Sequence, residues 1–307
     1  MSASGATLHD APATIDREHA AGRLCDGDFA QAMCSAVFVS QIQIRGEQAM
    51  HRFAILLYGI ICYIVFFATF LYAVGFIGNL LVPKTIDSPT SADFATSLLV
   101  DLGLLFVFAA QHSVMARPAF KRWWTRFVPE PAERSTYVLF SSLALMALFV
   151  GWRPLGGIVW EASTPWLVVL LYSGFTIGWL LVLMSTFLIN HFDLFGLRQV
   201  WLQFRDRPYV SLPFVTPGPY RIVRHPLYVG WLFAFWCTPV MSATHLLFAV
   251  ATTAYILIAI RFEERDLVAA MPEYAAYRQQ VPMLMPNLST RSWRASTAEK
   301  GAQADAQ

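Results

Sequence analysis

Charge is scarce in this 307-residue chain: only 14% of residues are Asp, Glu, Lys or Arg, while 56% are apolar and the mean hydropathy is +0.49. A soluble globular domain carries about 25% charged residues, so a soluble class is excluded. Cysteine is scarce too. Cys25, Cys34, Cys62 and Cys237 show no CxxC spacing, and Cys62 and Cys237 fall inside apolar runs, which excludes a disulfide framework and a zinc site; no metal is expected. The chain also lacks a GxGxxG after a strand, a Walker loop, an HExxH pair and a GxSxG elbow. Soluble nucleotide-binding folds and the common hydrolases are thereby disfavoured.

What the chain does have is long apolar runs. A membrane-crossing helix needs roughly 20 mostly apolar residues to cover about 30 Å of hydrocarbon. Phe53 to Val82, Phe94 to Met115, Thr136 to Val150 with a tail to Trp160, and Trp166 to Ile189 meet that requirement. Leu227 to Ile260 is too long for one crossing and is interrupted by Pro239, Ser242 and Thr244, so it predicts a tight helical hairpin. The expected fold is an all-α integral membrane protein with about six transmembrane helices, whose last two form that hairpin. Gly174 and Gly178 form a GxxxG in the fourth span, a pattern that lets helices approach closely without requiring a dimer. The oligomeric state stays open.

Orientation follows from the basic residues, because Lys and Arg concentrate in cytoplasmic loops. Arg117, Lys121, Arg122, Arg126 and Arg134 fill the second loop, and Arg198, Arg205, Arg207, Arg221 and Arg224 the fourth. The first loop has only Lys84 and the third only Arg153. Six crossings put every basic cluster on one side, which predicts a cell-membrane protein with both termini cytoplasmic. Residues 1–49 are expected to be a disordered tail or the product of a mis-set start before Met50, since they lack the features of a signal peptide. The working domain is then 50–288, followed by a disordered tail from 289 to 307.

Ionisable groups at or inside membrane spans are costly and therefore candidates for function. In GPYRIVRHPLYVGW, Gly218 to Trp231, Pro226 suits the first helical position and His225 the non-helical residue before it. The free amides of that helix start, with Arg224 and His225 beside them and Tyr220 and Tyr228 as aromatic walls, make a polar pocket. Interfacial anchoring accounts for the same residue types equally well. RFEERD, Arg261 to Asp266, returns two carboxylates, Glu263 and Glu264, to this face if the hairpin forms; a solvated helix end is the simpler account of it taken alone. INHFDLFG offers His191 with Asp193 at a helix exit, and QHSVMARP offers His112 about one turn inside the second span. Either imidazole titrates near neutrality, although structural hydrogen bonds account for both.

GPYRIVRHPLYVGW, then RFEER, then PEYAAYRQQVP together resemble the C-terminal signature of the isoprenylcysteine carboxyl methyltransferase and phospholipid methyltransferase superfamily, over about Thr216 to Pro286. The resemblance implies S-adenosylmethionine as cofactor, held without a Rossmann fold. It places Tyr220, His225, Pro226, Leu227 and Tyr228 in the cofactor pocket next to Arg224, with Glu263 or Glu264 closing it. The loop residues Leu212, Phe214 and Val215 are expected to line the adenosyl group. QHSVMARPAFK, ERSTYVLFSSLAL, NHFDLFGLRQVWL and HPLYVGWLFAFW narrow the match: over about Met50 to Leu288 the chain resembles the nurim-like, bacterial methanethiol S-methyltransferase family.

That resemblance implies S-methylation of methanethiol to dimethyl sulfide at the lipid bilayer, with no nucleic-acid partner. The alternatives it leaves are a prenylcysteine, phospholipid or other small-thiol methyltransferase, a non-catalytic nurim-like protein, and more distantly a sterol-reductase-type enzyme. Thiols of pKa about 8.5 or above are mostly protonated at neutral pH, so a base or a cationic stabiliser helps. By position, the candidates are His191 and His112 as base, Asp193 orienting an imidazole, and Arg261 or Arg224 stabilising negative charge.

Overall fold

A computed structural model describes residues 28–89 and 92–286, with side chains from residue 33 onward. The chain divides after Phe53 into two compact units. In the first, the described residues form the leading part of helix α1 (Asp28–Gly78), which is exposed, with local bonds such as Ser40 Oγ donating to the Val37 carbonyl at 2.8 Å. Residues 28–49, expected to be disordered, are therefore helical; nothing in their sequence breaks the run that leads into the apolar stretch. The rest of that expected tail, 1–27, lies outside the described residues, as does 289–307.

The second unit begins at Ala54 with the remainder of α1 and continues through α2 (Phe94–Ala116), α3 (Pro118–Trp124), α4 (Glu130–Gly151) and strand β1 (Ile158–Glu161). It goes on with α5 (Pro165–Ile189), α6 (His191–Leu194), α7 (Leu197–Phe204), a 3-10 turn at Gly218–Arg221, α8 (Pro226–Trp236), β2 (Val240–Ser242), α9 (Ala243–Ala270) and α10 (Pro272–Gln280). Proline opens many of these helices because its missing amide hydrogen is not needed there. Side chains cap others: Asp93 accepts from the Thr96 amide at 3.0 Å, and Ser242 from the His245 amide at 2.9 Å.

Among the described residues, five helices, α1, α2, α4, α5 and α9, are long and apolar enough to cross a membrane. The multi-pass, helical class is as expected. The sixth apolar helix, α8, has 11 residues, or about 16 Å at helical rise, which is short of the hydrocarbon thickness. The third span starts earlier than expected, and its tail to Trp160 is not helical: α4 stops at Gly151, and Ile158–Glu161 pairs antiparallel with β2. The chain leaves α4 in extended backbone at Trp152 (φ −58°, ψ 135°), turns at Gly156 and Gly157, both of positive φ, and the freed strand finds its partner just past Pro239.

Helix α8 packs most extensively on α5, and glycine is the reason. A Cβ on Gly178 would come within 2.6 Å of the Ala234 nitrogen, and one on Gly230 within 2.7 Å of the Gly178 carbonyl oxygen. The backbones thus touch, and the Gly174–Gly178 pattern serves packing within the chain. Phe76, Phe149, Trp152, Phe175, Trp179, Phe235 and Phe248 fill the core around this pair. Lys84 donates to the Val150 carbonyl, and Asp101 accepts from the Arg153 amide at 2.8 Å, so the two sparsely basic loops lie together. The strongly basic loops meet at the other end, where Arg117 bonds Asp266 at 3.0 Å.

Candidate active site

At that basic end the start of α8 meets the end of α9. Pro226 occupies the first turn, which leaves His225 extended at φ −126° and ψ 63° and aims its ring at α9. Glu264 receives it: His225 Nε2 lies 3.0 Å from Glu264 Oε1, and Arg224 Nε donates to the same oxygen at 2.6 Å. Tyr274 on α10 reaches that oxygen as well, at 3.5 Å. Arg224 is held further by the carbonyls of Arg278 and Val281, at 3.0 and 2.5 Å. The segment after α10 then runs alongside, with the amides of Arg224 and His225 donating to Pro282 and Met283 at 2.8 and 3.2 Å. Arg224 and Glu264 side chains are only 11% and 10% exposed, so the charges are matched inside the protein.

One residue earlier on α9, Glu263 faces a separate set of groups. Tyr228 donates to its Oε2 at 2.7 Å, and Tyr220 is close enough to feel its charge. The Tyr220 hydroxyl bonds the Ser185 carbonyl at 3.4 Å, and the buried Ser185 Oγ has no hydrogen-bond partner among the described residues. Tyr277 donates to the Tyr220 carbonyl at 2.5 Å, and Phe214 packs edge-on against Tyr274 and Tyr277. Burial raises the pKa of Tyr220, Tyr274 and Tyr277, so all three remain phenols able to donate.

The expected residues do not all converge. Pro226 is buried and Leu227 half-buried in α8, but in the approach loop only Phe214 joins the wall; Leu212 and Val215 are exposed. Arg261 is exposed on α9 and makes no hydrogen bond among the described residues, because the helix turns it away from the face that carries Glu264. Arg224 takes that carboxylate instead. Asp193 does not orient an imidazole: it pairs with Arg198 at 2.8 Å and accepts from Tyr209 and Gln199.

The two histidines proposed as base sit in different places. His191 follows Asn190, whose left-handed φ of 95° turns the chain sharply after α5 and buries the ring. It stacks on Phe187 at 4.2 Å, and both nitrogens are engaged, Nδ1 with Thr186 and Nε2 with Tyr63, each at 2.8 Å. Burial lowers its pKa and so favours the neutral ring. His112 on α2 instead meets Tyr137 of α4, with Nε2 2.9 Å and Nδ1 3.1 Å from the phenol, and Ser141 at 3.2 Å. Its neighbour Ser113 lies 3.0 Å from the Tyr255 hydroxyl of α9. Tyr228 with Glu263, and His112 with Tyr137 and Ser141, thus form two polar groups, each bonded within itself.

Sequence reasoning missed Tyr137, Tyr255, Ser185, Tyr274 and Tyr277. The last two lie inside PEYAAYRQQVP, and their i, i+3 spacing puts them on one face of α10. The others are single polar residues in apolar runs, and only tertiary structure brings them together.

Comparison with known proteins adds a family. A model described as phospholipid methyltransferase matches residues 172–271, the stretch that holds α8 and the glutamates of α9. The methanethiol S-methyltransferase of Crocosphaera subtropica is 54% identical over 83% of this chain and 100% of its own length. That of Mycobacterium tuberculosis is 51% identical over 77% of this chain and 98% of its own. Nurim from Bos taurus is 32% identical over 55% of this chain and 68% of its own. No solved structure matches. With about half of its residues shared across the full length of such relatives, the chain belongs to the methanethiol S-methyltransferase family, among the phospholipid methyltransferase type of membrane enzymes.

Proposed function

We infer that this chain, through a working unit of residues 50–288, methylates methanethiol to dimethyl sulfide, with S-adenosylmethionine as donor, at the cytoplasmic face of the cell membrane. The observation that carries the methylation site is the pair of adjacent carboxylates, Glu263 and Glu264, brought to the Arg224–His225 start of α8. The cytoplasmic placement is supported by the gathering of Arg117, Arg224 and Asp266 at this end, opposite the loops that carry only Lys84 and Arg153.

The residues present fit a zwitterionic, sulfonium-bearing cofactor. Among the described residues Glu263 has one hydrogen-bond partner and valence to spare for a cation, while the orphaned Ser185 hydroxyl and the Tyr220 phenol beside it offer hydrogen bonds. Glu264 gives its Oε1 to Arg224, His225 and Tyr274 and so fixes the start of α8, and Glu263 is taken as the ligand-facing acid. Phe214, held against Tyr274 and Tyr277, provides the aromatic wall. When bound, S-adenosylmethionine supplies an electrophilic methyl group on a sulfonium and departs as a neutral thioether.

This chain's part is to hold the thiol, take its proton and exclude water. His112 is the base in this reading, because Phe108 and Ser113 beside it meet Tyr255 of α9, the helix that carries Glu263. The imidazole would take the S–H proton and hold it at a ring nitrogen, leaving the sulfur as the nucleophile for the methyl group that the bound donor would supply. A thiolate and a sulfonium neutralise each other in that displacement, so a site lined by Phe108, Tyr137, Tyr228 and Tyr255 favours it over water. His191 is held at both nitrogens by Thr186 and Tyr63, as His112 is by Ser141 and Tyr137, and is the second candidate base.

The deciding assay combines purified protein, S-adenosylmethionine and methanethiol, with dimethyl sulfide read by gas chromatography. Product is expected only when both substrates are present. Absence of product together with absence of cofactor binding by calorimetry would overturn the enzymatic reading and favour a nurim-like non-catalytic role.

A further inference from the structure

The groups that flank His112 also close the inner end of a groove on the lipid-facing side of the bundle. It runs between α2 and α9, has a volume of about 190 Å³, and is lined by Phe106, Phe108 and Ala109 on one side and Ala251, Thr252 and Tyr255 on the other. Phe106 is 72% exposed at its rim. Thr252 turns its hydroxyl back to the Phe248 carbonyl at 2.6 Å, so it presents only its methyl and the lining stays apolar. At the inner end the Phe108 ring stacks on His112 at 5.4 Å, and the Tyr255 hydroxyl lies 3.0 Å from Ser113 Oγ. Two side chains thus belong to both the groove and the surroundings of the base.

We propose that this groove admits the thiol from the bilayer and that Phe108 and Tyr255 set the length of alkyl chain that passes. The proposal rests on the methyltransferase function and on His112 as base. A neutral small thiol dissolves in hydrocarbon, whereas its thiolate does not, since charge is expelled from the membrane interior. The thiol therefore arrives protonated, and the group that takes the proton stands directly behind the ring it must pass. Size fits as well: an apolar cavity of about 150 Å³ is enough to hold a benzene ring, so this groove suits a short alkyl thiol and is far too small for a prenyl chain. Selectivity by such a wall is worth roughly tenfold or more per methylene.

The test uses the full-length protein in lipid nanodiscs and measures kcat/KM for methanethiol, ethanethiol, 1-butanethiol and 1-hexanethiol, with cofactor affinity followed by calorimetry. The wild type should lose activity steeply with chain length. Phe108→Ala should raise the hexanethiol-to-methanethiol ratio by about tenfold or more, and Ala109→Trp and Ala251→Trp, which fill the groove, should raise KM for methanethiol about tenfold with cofactor affinity kept. A chain-length profile identical in all four proteins, from a wild type that does form dimethyl sulfide, overturns the groove while leaving the function standing. A wild type that forms none overturns both. If Phe108→Ala loses cofactor binding along with turnover, the filling variants, which remove no contact, decide.

Discussion

His225 Nε2 lies 3.0 Å from Glu264 Oε1 across 39 residues of sequence, and the Arg224 guanidinium shares the same oxygen. One carboxylate thus pins two consecutive residues at the start of α8. Glu264→Gln removes the charge that matches a nearly buried Arg224 and should destabilise the fold by about 3 kcal/mol or more. Thermal unfolding in detergent checks this, and an unchanged Tm would show that Arg224 finds another anion.

Glu263→Gln separates binding from folding. Tyr228 can still donate to the amide oxygen, so stability should hold. The lost charge should weaken the methyl donor's affinity by about tenfold, as a charge-assisted contact is worth roughly 1.5 to 3 kcal/mol. Calorimetric titration with S-adenosylmethionine and with the uncharged thioether product gives a sharper reading: the loss should be larger for the sulfonium. Equal affinities to wild type would remove Glu263 from the site.

For the base, His112→Ala should lower kcat by about 10² to 10⁴ while cofactor affinity is retained. Its residual rate should climb with pH as the thiol ionises by itself, whereas the wild-type profile should be flatter. Asp193→Asn should leave kcat within a few-fold, since that carboxylate serves Arg198 and Tyr209. A large kcat loss in Asp193→Asn with a normal His112→Ala enzyme would reverse the assignment.

His191 makes a pH prediction whose sign follows from its burial. Its folded pKa lies below the ordinary value of 6.5, so the unfolded chain binds the proton first as pH falls. Its contribution is therefore intact above about pH 6.5 and is lost as pH falls through that value toward the folded constant. Tm should decline between pH 6.5 and 5, and less steeply in His191→Gln. Parallel slopes in the two proteins would assign the acid sensitivity elsewhere.

Gly230→Ala tests the helix contact. The added methyl carbon would meet backbone atoms of Gly178 and Val182 at 2.7 and 2.8 Å, which cannot move aside, and overpacking of this kind costs about 1 to 3 kcal/mol. Gly174→Ala should be milder, because its methyl meets the Cys237 side chain. Tm values of the two variants decide.

How much could be read without coordinates depended on whether the signal was local. Pro226, the apolar runs and the basic loops each act through the chain's immediate neighbourhood, so the helix start and the crossings were legible. The end of α4 at Gly151 was not, because Ile158–Glu161 is drawn into a strand by Val240–Ser242, a partner far along the chain. Within the site, Arg224, His225 and Glu264 were legible because three motifs recur in order. Arg261 and Asp193 were less legible for one reason: residue type says nothing about which way a helix or turn points the side chain, and Arg261 is exposed while Asp193 pairs with Arg198 in place of an imidazole. The link from His112 through Tyr137 and Tyr255 joins three helices, so no stretch of sequence contains it.

The bonds from Arg224 and His225 to the carbonyls of Pro282 and Met283 have a consequence for biosynthesis. Those partners come after α9 and α10 in the chain, so α8 can be made and inserted before the groups that hold its first turn leave the ribosome. The site closes only after the membrane helices are already in place. A nascent chain stalled before residue 282 should be inserted yet unable to retain the methyl donor.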